Sequence, residues 1–403
     1  MSAQAQPHLA TDAEPAGPIR IDGRLSSIDI LRGLVIILMV LDHVRDFFHA
    51  SAFTINPLDP ETSNPALYMT RWITHLCAPS FVFLAGVSAF LKGARDGDTK
   101  SLSWFLFSRG LWLIVLELTV INFGWSFGFG APFLQVIWAI GISMVLLSAL
   151  VWLGPRAVLL VGVLIVAGHN LLDPIDPPDL GGAAPAWNLI HEQGLMRGEG
   201  WALFVAYPAL PWLGVICLGY GLGGLFLKPA AERVRTLLIL GAGFIAMFLI
   251  LRGLNAYGNP TPWTQHADGV STAMSFFDVQ KYPPSLQFVL ITLGIGFLLL
   301  ALFERLRGPL AELFLTYGRV PLFVYVLHIY IAHGLAMATG VAMGRDPNDF
   351  VEWIADPSKL QGWGFDLWVV WLVWLLVVAI LYLPARWFGA VKRRRKDWWL
   401  SYL

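Results

Sequence analysis

Ten stretches of roughly twenty mostly apolar residues divide this chain, and they constrain its fold more than any other feature. They run over about 28–48, 71–91, 104–123, 133–153, 157–172, 203–227, 236–254, 286–304, 320–340 and 366–388. A helix needs ~20 such residues to cross the hydrocarbon core, because lipid offers no partner to an unpaired backbone N–H or C=O. The spacing therefore predicts an all-α fold: a polytopic transmembrane helix bundle of about ten helices, nine to eleven given the short fifth stretch. Composition agrees, with 57% hydrophobic and only 13% charged residues, where a soluble domain carries roughly 25% charged. A soluble enzyme and a disordered chain are excluded. The net charge of zero gives no basic excess for nucleic acid.

The loops carry the topology. Lys and Arg gather on the cytoplasmic side of a membrane. With the N-terminus inside, the inner segments hold most of the 27 basic residues, from Arg20 and Arg24 to the run Lys392–Lys396. The outer loops 49–70, 173–202, 255–285 and 341–365 are longer and hold 13 of the 27 acids but few of the basic residues. Both termini are thus predicted cytoplasmic. The domain reading is a polar cytoplasmic segment at 1–26, a transmembrane domain at 27–390 and a basic cytoplasmic tail at 391–403. Cys77 and Cys217 stand apart in apolar stretches, so neither a disulfide framework nor a thiolate metal site is expected, and no metal ligand set is assigned. Gly219 and Gly223 form a GxxxG pair suited to close helix packing.

A charge at bilayer depth costs at least ~2.5–3.5 kcal/mol on insertion scales, so each one needs a reason. Stepping by three or four along the first stretch gives one face: Asp29, Arg32, Ile36, Met39, His43 and Asp46. His43 stands roughly 20 Å along the axis from Asp29. Asp42 and Asp46 flank it, and its imidazole titrates near neutral pH. Arg71 and His75 are four apart and share a helix face at the start of the second stretch, at a depth expected to match His43. Pro79 follows them and can kink the helix. Gln135 opens the fourth stretch. Tyr325 and His328 lie one turn apart in the ninth, with His333 beyond them. The plain alternative for each is an interfacial ion pair, a lipid contact or a hydrogen-bonded bundle residue.

Taken in order, several short segments carry a resemblance. Ser27-Ile-Asp29-Ile-Leu-Arg32-Gly33 with Asp42-His43 is one, and Ala78-Pro79-Ser-Phe-Val-Phe-Leu-Ala-Gly86 is another. Leu134-Gln135 with Ala139-Ile-Gly-Ile-Ser, Lys281-Tyr-Pro-Pro-Ser285 and Gly318-Arg-Val-Pro-Leu-Phe-Val-Tyr325-Val-Leu-His328 complete them. This series resembles bacterial relatives of heparan-α-glucosaminide N-acetyltransferase, within a wider membrane acyltransferase superfamily. The resemblance implies transfer of an acyl group, acetyl in the family, from a CoA-type donor to an amine or hydroxyl of a sugar. Where the family's catalytic histidine is expected, near Pro65, this chain has none. Its His75 occupies the position of a family aspartate. Heparan sulfate itself is therefore not the expected acceptor.

The expected function is an integral membrane acyltransferase acting on a small-molecule or glycan acceptor at the outer face of a bacterial cytoplasmic (inner) membrane. Acetyl-CoA or another acyl-CoA is a co-substrate, and no cofactor stays bound. Membrane lipids are partners, nucleic acid is not, and a homo-oligomer is left open. The chemistry needs a base for the acceptor proton and donors for the acyl oxygen. His43, Asp42, Asp46 and His75 are the catalytic candidates, with His43 as base or transient acyl carrier and Asp42 or Asp46 orienting it. Arg32, Arg71, Gln135, Lys281, Ser285, Tyr325 and His328 are the substrate-binding candidates. A transporter or flippase of a polar small molecule or lipid-linked sugar is the alternative, since membrane Asp, His and Arg serve ion paths equally well. Against it stand the lack of visible repeat halves and the concentration of polar groups away from the midplane.

Overall fold

The most charged of the apolar stretches is also the most enclosed. In the computed structural model, Ser26–Phe48 forms one helix of 23 residues, of which only Arg32, Leu34 and Asp46 are not fully buried. Charges are tolerated here because protein, not lipid, surrounds them. The structure describes residues 20–21, 24–52, 54–199, 201–354, 356–395 and 397–402. Most of the polar segment 1–26, and Lys396 of the basic tail, lie outside the described residues.

Among the described residues, nine helices are long and apolar enough to cross a membrane; Ser26–Phe48 is long enough but too charged to count among them. They are Pro65–Asp96, Thr99–Ser126, Val136–Leu153, Pro155–Leu172, Ala209–Leu227, Ala230–Leu254, Leu286–Phe303, Pro321–Ala342 and Leu367–Arg394. With Ser26–Phe48 first, these are the second to tenth spans below. The chain is an all-α, multi-pass bundle. The seventh and tenth spans are only 17% buried over their apolar windows, so their Leu, Ile and Trp side chains face lipid on most sides. Helix ends follow local chemistry: Gly97, at φ 70°, closes the second span, and the Asp98 carboxylate caps Lys100 N and Ser101 N to start the third.

Helix ends shift by up to about six residues from the sequence expectation, and two segments change type. Residues 203–205 and 133–134 were expected in helices but form strands. Trp201–Val205 pairs antiparallel with Gly194–Gly198 and parallel with Phe133–Leu134. Apolarity alone cannot separate a short strand from a helix start. Here aromatic and β-branched residues favour the strand, and Pro208, extended at ψ 144°, delays the sixth helix to Ala209.

Glycine sets how closely the spans meet. A Cβ on Gly219 would stand 2.0 Å from the Phe83 carbonyl oxygen, and one on Gly86 would stand 2.1 Å from the Ile216 carbonyl oxygen. The second and sixth spans thus pack backbone to backbone, as GxxxG predicts. Gly219→Val is expected to force them apart and cost ~1–3 kcal/mol, as overpacking does. A lowered thermal midpoint in detergent checks this, and an unchanged midpoint would contradict it.

The ends of the bundle are tied by buried arginines. Arg233 donates from Nε to Glu304 Oε1 at 3.0 Å and from Nη2 to Oε2 at 2.7 Å, while Ser27 Oγ donates to Oε1 at 2.6 Å. At the other end of the bundle, Arg252 donates to the carbonyls of Thr261, Ser275, Phe276 and Asp278 at 2.7–2.9 Å. It fixes the loop that delivers Lys281 and Tyr282.

Candidate active site

One face of the first span lines two cavities. Asp29, Arg32 and Ile36 border a cavity of about 750 Å³. One and two turns further on, Met39, His43 and Asp46 border a second of about 640 Å³. Phe81 and Val136 line both. A helix repeats every 3.6 residues, so positions 29, 32, 36, 39, 43 and 46 form a single stripe, and that stripe runs from one cavity into the other.

Behind the second cavity's wall, His43 Nδ1 lies 2.6 Å from Nε2 of the fully buried His328, whose Nδ1 lies 3.2 Å from the Val324 carbonyl oxygen. A carbonyl only accepts, so His328 donates from Nδ1 and its Nε2 is left as the acceptor. His43 must then donate from Nδ1. This chain of donors assigns the tautomer and leaves the lone pair on His43 Nε2. Trp125 packs edge-on against the His43 ring at 4.8 Å between centroids.

The group that orients His43 is thus His328, not an aspartate. Asp42 is committed elsewhere. It accepts from Arg45 Nη2 at 3.1 Å and Arg71 Nη1 at 2.5 Å, with Lys281 Nζ at 3.8 Å. Adjacent residues on a helix point about 100° apart, so Asp42 and His43 cannot share a partner easily. Asp46 accepts from Arg45 Nη2 at 2.6 Å. The hub joins the first span, the second span and the loop before the eighth, and all three cations line the His43 cavity. Burial pushes the neighbouring Tyr282 phenol up, but Lys281 and Arg71 outweigh it and hold it below the usual tyrosine range.

Gln135 also lines this cavity, and its amide nitrogen has no hydrogen-bond partner. Tyr325 lines the Arg32 cavity with an unpartnered hydroxyl, its ring centroid 6.3 Å from that of His43. Two unused donors of this kind are uncommon among buried groups.

Two candidates stand elsewhere. His75 does not line either cavity. It is fully buried among Trp72 and Phe288, with ring centroids 6.4 and 5.2 Å away. A 3₁₀ turn at Ile73–Leu76 interrupts the α-helix between Arg71 and Pro79. Three residues per turn rather than 3.6 rotates His75 off the face that Arg71 occupies. Ser285 caps the eighth span, accepting from Phe288 N at 3.1 Å and donating to Asn259 at 2.9 Å. His333 lies between the Phe47 and Phe127 rings, and its nitrogens meet the Gly124 and Phe350 carbonyls at 2.9 Å, which is a packing role.

The Arg32 cavity has a different character. Arg32 pairs with Asp29 at 3.1 Å and donates to the Leu84 carbonyl and to Ser88. Lys92, Arg95, Arg109, Arg319 and Lys392 line the same space, with Asp29 the one acid among its lining residues. In the sequence these cations are legible only as topology signals, because loop charge alone does not show whether side chains converge. Trp125 was missed as well, since an aromatic in an apolar stretch carries no distinguishing pattern.

Comparison with known proteins agrees with the motifs. The family model described as heparan-alpha-glucosaminide N-acetyltransferase, catalytic, matches residues 24–256. That region spans the first seven helices and all of the His43, Arg71 and Gln135 positions. The motifs at Lys281–Ser285 and Gly318–His328 lie beyond it. No curated protein matches the chain. Covering more than half of the sequence, the match shows that the chain belongs to the heparan-alpha-glucosaminide N-acetyltransferase catalytic family, as an integral multi-pass membrane acetyltransferase.

Proposed function

We propose that the protein moves an acetyl group along its first span, from acetyl-CoA in the Arg32 cavity to an amine or hydroxyl of a sugar or glycoconjugate in the His43 cavity. The observation that carries this reading is the single helix stripe lining both cavities. Six cations at the Arg32 end suit the phosphates of a CoA donor. Aromatic walls from Trp125, Tyr207 and Tyr282, with Gln135 and charged groups between them, suit a sugar at the other end. The positive-inside distribution supports a cytoplasmic Arg32 end and an outward His43 end.

In this mechanism His43 Nε2 takes the proton as the acceptor nitrogen or oxygen attacks the thioester carbonyl carbon. The Gln135 amide and the Tyr325 hydroxyl donate to the carbonyl oxygen as it gains charge. The tetrahedral carbon then expels the thiolate, which recovers the proton from His43. His328 holds the ring in the reactive tautomer throughout. The hub around Asp42 keeps Arg71 and Lys281 in the acceptor wall.

Proteoliposomes of one orientation test the reading. With acetyl-CoA and an amino sugar on opposite sides, product is expected only when acetyl-CoA faces the Arg32 end. Uptake of sugar with no acetylation would favour the transporter instead. The donor assignment is tested separately: Arg109→Ala should raise the KM for acetyl-CoA about tenfold, equal to ~1.4 kcal/mol, with kcat little changed. An unchanged donor KM would remove Arg109 from the donor site.

A further inference from the structure

At the end of the fifth span, away from both cavities, three metal-type ligands converge. His169 ends that span, Asp173 follows it by one turn, and His191 comes from the loop that leads to strand Gly194–Gly198. One ligand atom from each lies within 4.8 Å of the other two. His191 Nε2 is already 3.2 Å from Asp173 Oδ1. The two imidazole centroids are 5.8 Å apart.

Two observations separate this cluster from an ordinary hydrogen-bonded histidine pair. His169 is 2% exposed and His191 0%. Neither ring nitrogen of His169 forms a geometrically complete hydrogen bond, and the nearby Pro284 carbonyl can take only one of them, so at least one nitrogen is left without a partner. Buried polar atoms without partners are rare. The second observation concerns Asp173. Its Oδ2 accepts from Asn170 Nδ2 at 2.9 Å, while Asn170 Oδ1 accepts from Leu286 N at 2.9 Å. A ligating carboxylate oriented by an outer hydrogen bond is the usual support of a metal site. Four-coordinate Zn²⁺ sites bond His and Asp at ~2.0–2.2 Å, which puts ligand atoms about 3.3–3.6 Å apart. The His191–Asp173 pair, at 3.2 Å, lies just below that spacing, and small side-chain rotations bring all three ligand atoms to it.

We infer that His169, Asp173 and His191 form a binding site for a divalent transition cation of the Zn²⁺ type. Two imidazoles and one carboxylate favour such an ion over Ca²⁺ or Mg²⁺, which prefer all-oxygen shells. Water completes the fourth position, through the partly exposed Asp173. The ion joins the long loop after the fifth span to the start of the eighth, since Asn170 touches both. It therefore braces the segment 281–285 that contributes Lys281 and Tyr282 to the His43 cavity. This role is structural, and it stands whether or not the acyl-transfer reading holds.

The test uses the full-length protein in detergent, carrying no polyhistidine tag, stripped with chelator and then titrated with Zn²⁺. Native protein is expected to hold about one Zn²⁺ per chain, read by mass spectrometry of the metal, and to gain thermal stability on binding. His169→Ala and Asp173→Asn should each weaken binding at least about tenfold. His333→Gln, which alters a packed histidine elsewhere, should leave it unchanged. Titration of the native protein with Co²⁺ gives a readout independent of variant folding, because its visible bands report nitrogen ligation. Native protein that retains no stoichiometric Zn²⁺ would overturn the site. So would His169→Ala protein that binds Zn²⁺ as tightly as native.

Discussion

Replacing His43 with alanine is expected to lower kcat for acetyl transfer by ~10²–10⁴-fold, with substrate KM values little changed. The loss falls on kcat because the imidazole acts on a proton that moves only in the transition state. His328 should behave differently. It touches His43, not the substrates, and acts by holding the tautomer through the 2.6 Å contact. His328→Ala should therefore cost less than His43→Ala. His328→Gln, whose carbonyl can still accept from Nδ1, should recover part of the loss. Combining His43→Ala with His328→Ala should add little to His43→Ala alone, because the two residues work as one unit. If His43 instead carries the acyl group, acetyl-CoA without acceptor should leave one acetyl on the intact chain, visible by mass spectrometry. Full turnover by the His43→Ala protein would remove this residue from the mechanism.

Breaking the pair between Arg233 and Glu304 should give the largest loss of stability. Both side chains are almost fully enclosed, at 2% and 3% exposure, and the Arg233 fork makes two bonds to the carboxylate. Removing one partner leaves an uncompensated buried charge, which costs ~3–5 kcal/mol. Glu304→Ala is expected to do this, and it also strips Ser27 Oγ of its acceptor. The consequence should be a greatly reduced folded yield in detergent. Joint replacement of Arg233 and Glu304 by similarly sized apolar residues should recover most of the stability, because desolvation of the pair offsets much of its attraction. A Glu304→Ala protein as stable as native would mean that water reaches Arg233.

Much of the site was legible in residue order, and the reasons are specific. The stripe Asp29, Arg32, Ile36, Met39, His43, Asp46 follows from helical periodicity, and the structure places it along both cavities. Close packing at Gly219 followed from its spacing with Gly223. His75 shows the limit. Its face was inferred from a regular helix through Arg71, and a single 3₁₀ turn rotated it away. The partner of His43 was inferred from its neighbours in sequence. The structure supplies it from a residue 285 positions away.

Sequence alone determined that this is a membrane-embedded helical bundle, because a run of apolar residues must satisfy its own backbone in lipid. It also determined which side chains share a face on each helix, because the helical period is set by local geometry. Only the tertiary structure decided that His328 orients His43, that Asp42 gathers Arg45, Arg71 and Lys281, and that His169, Asp173 and His191 meet. Those outcomes depend on the rotation and height of one helix against another, which are set by interlocking side chains and glycine contacts from distant parts of the chain.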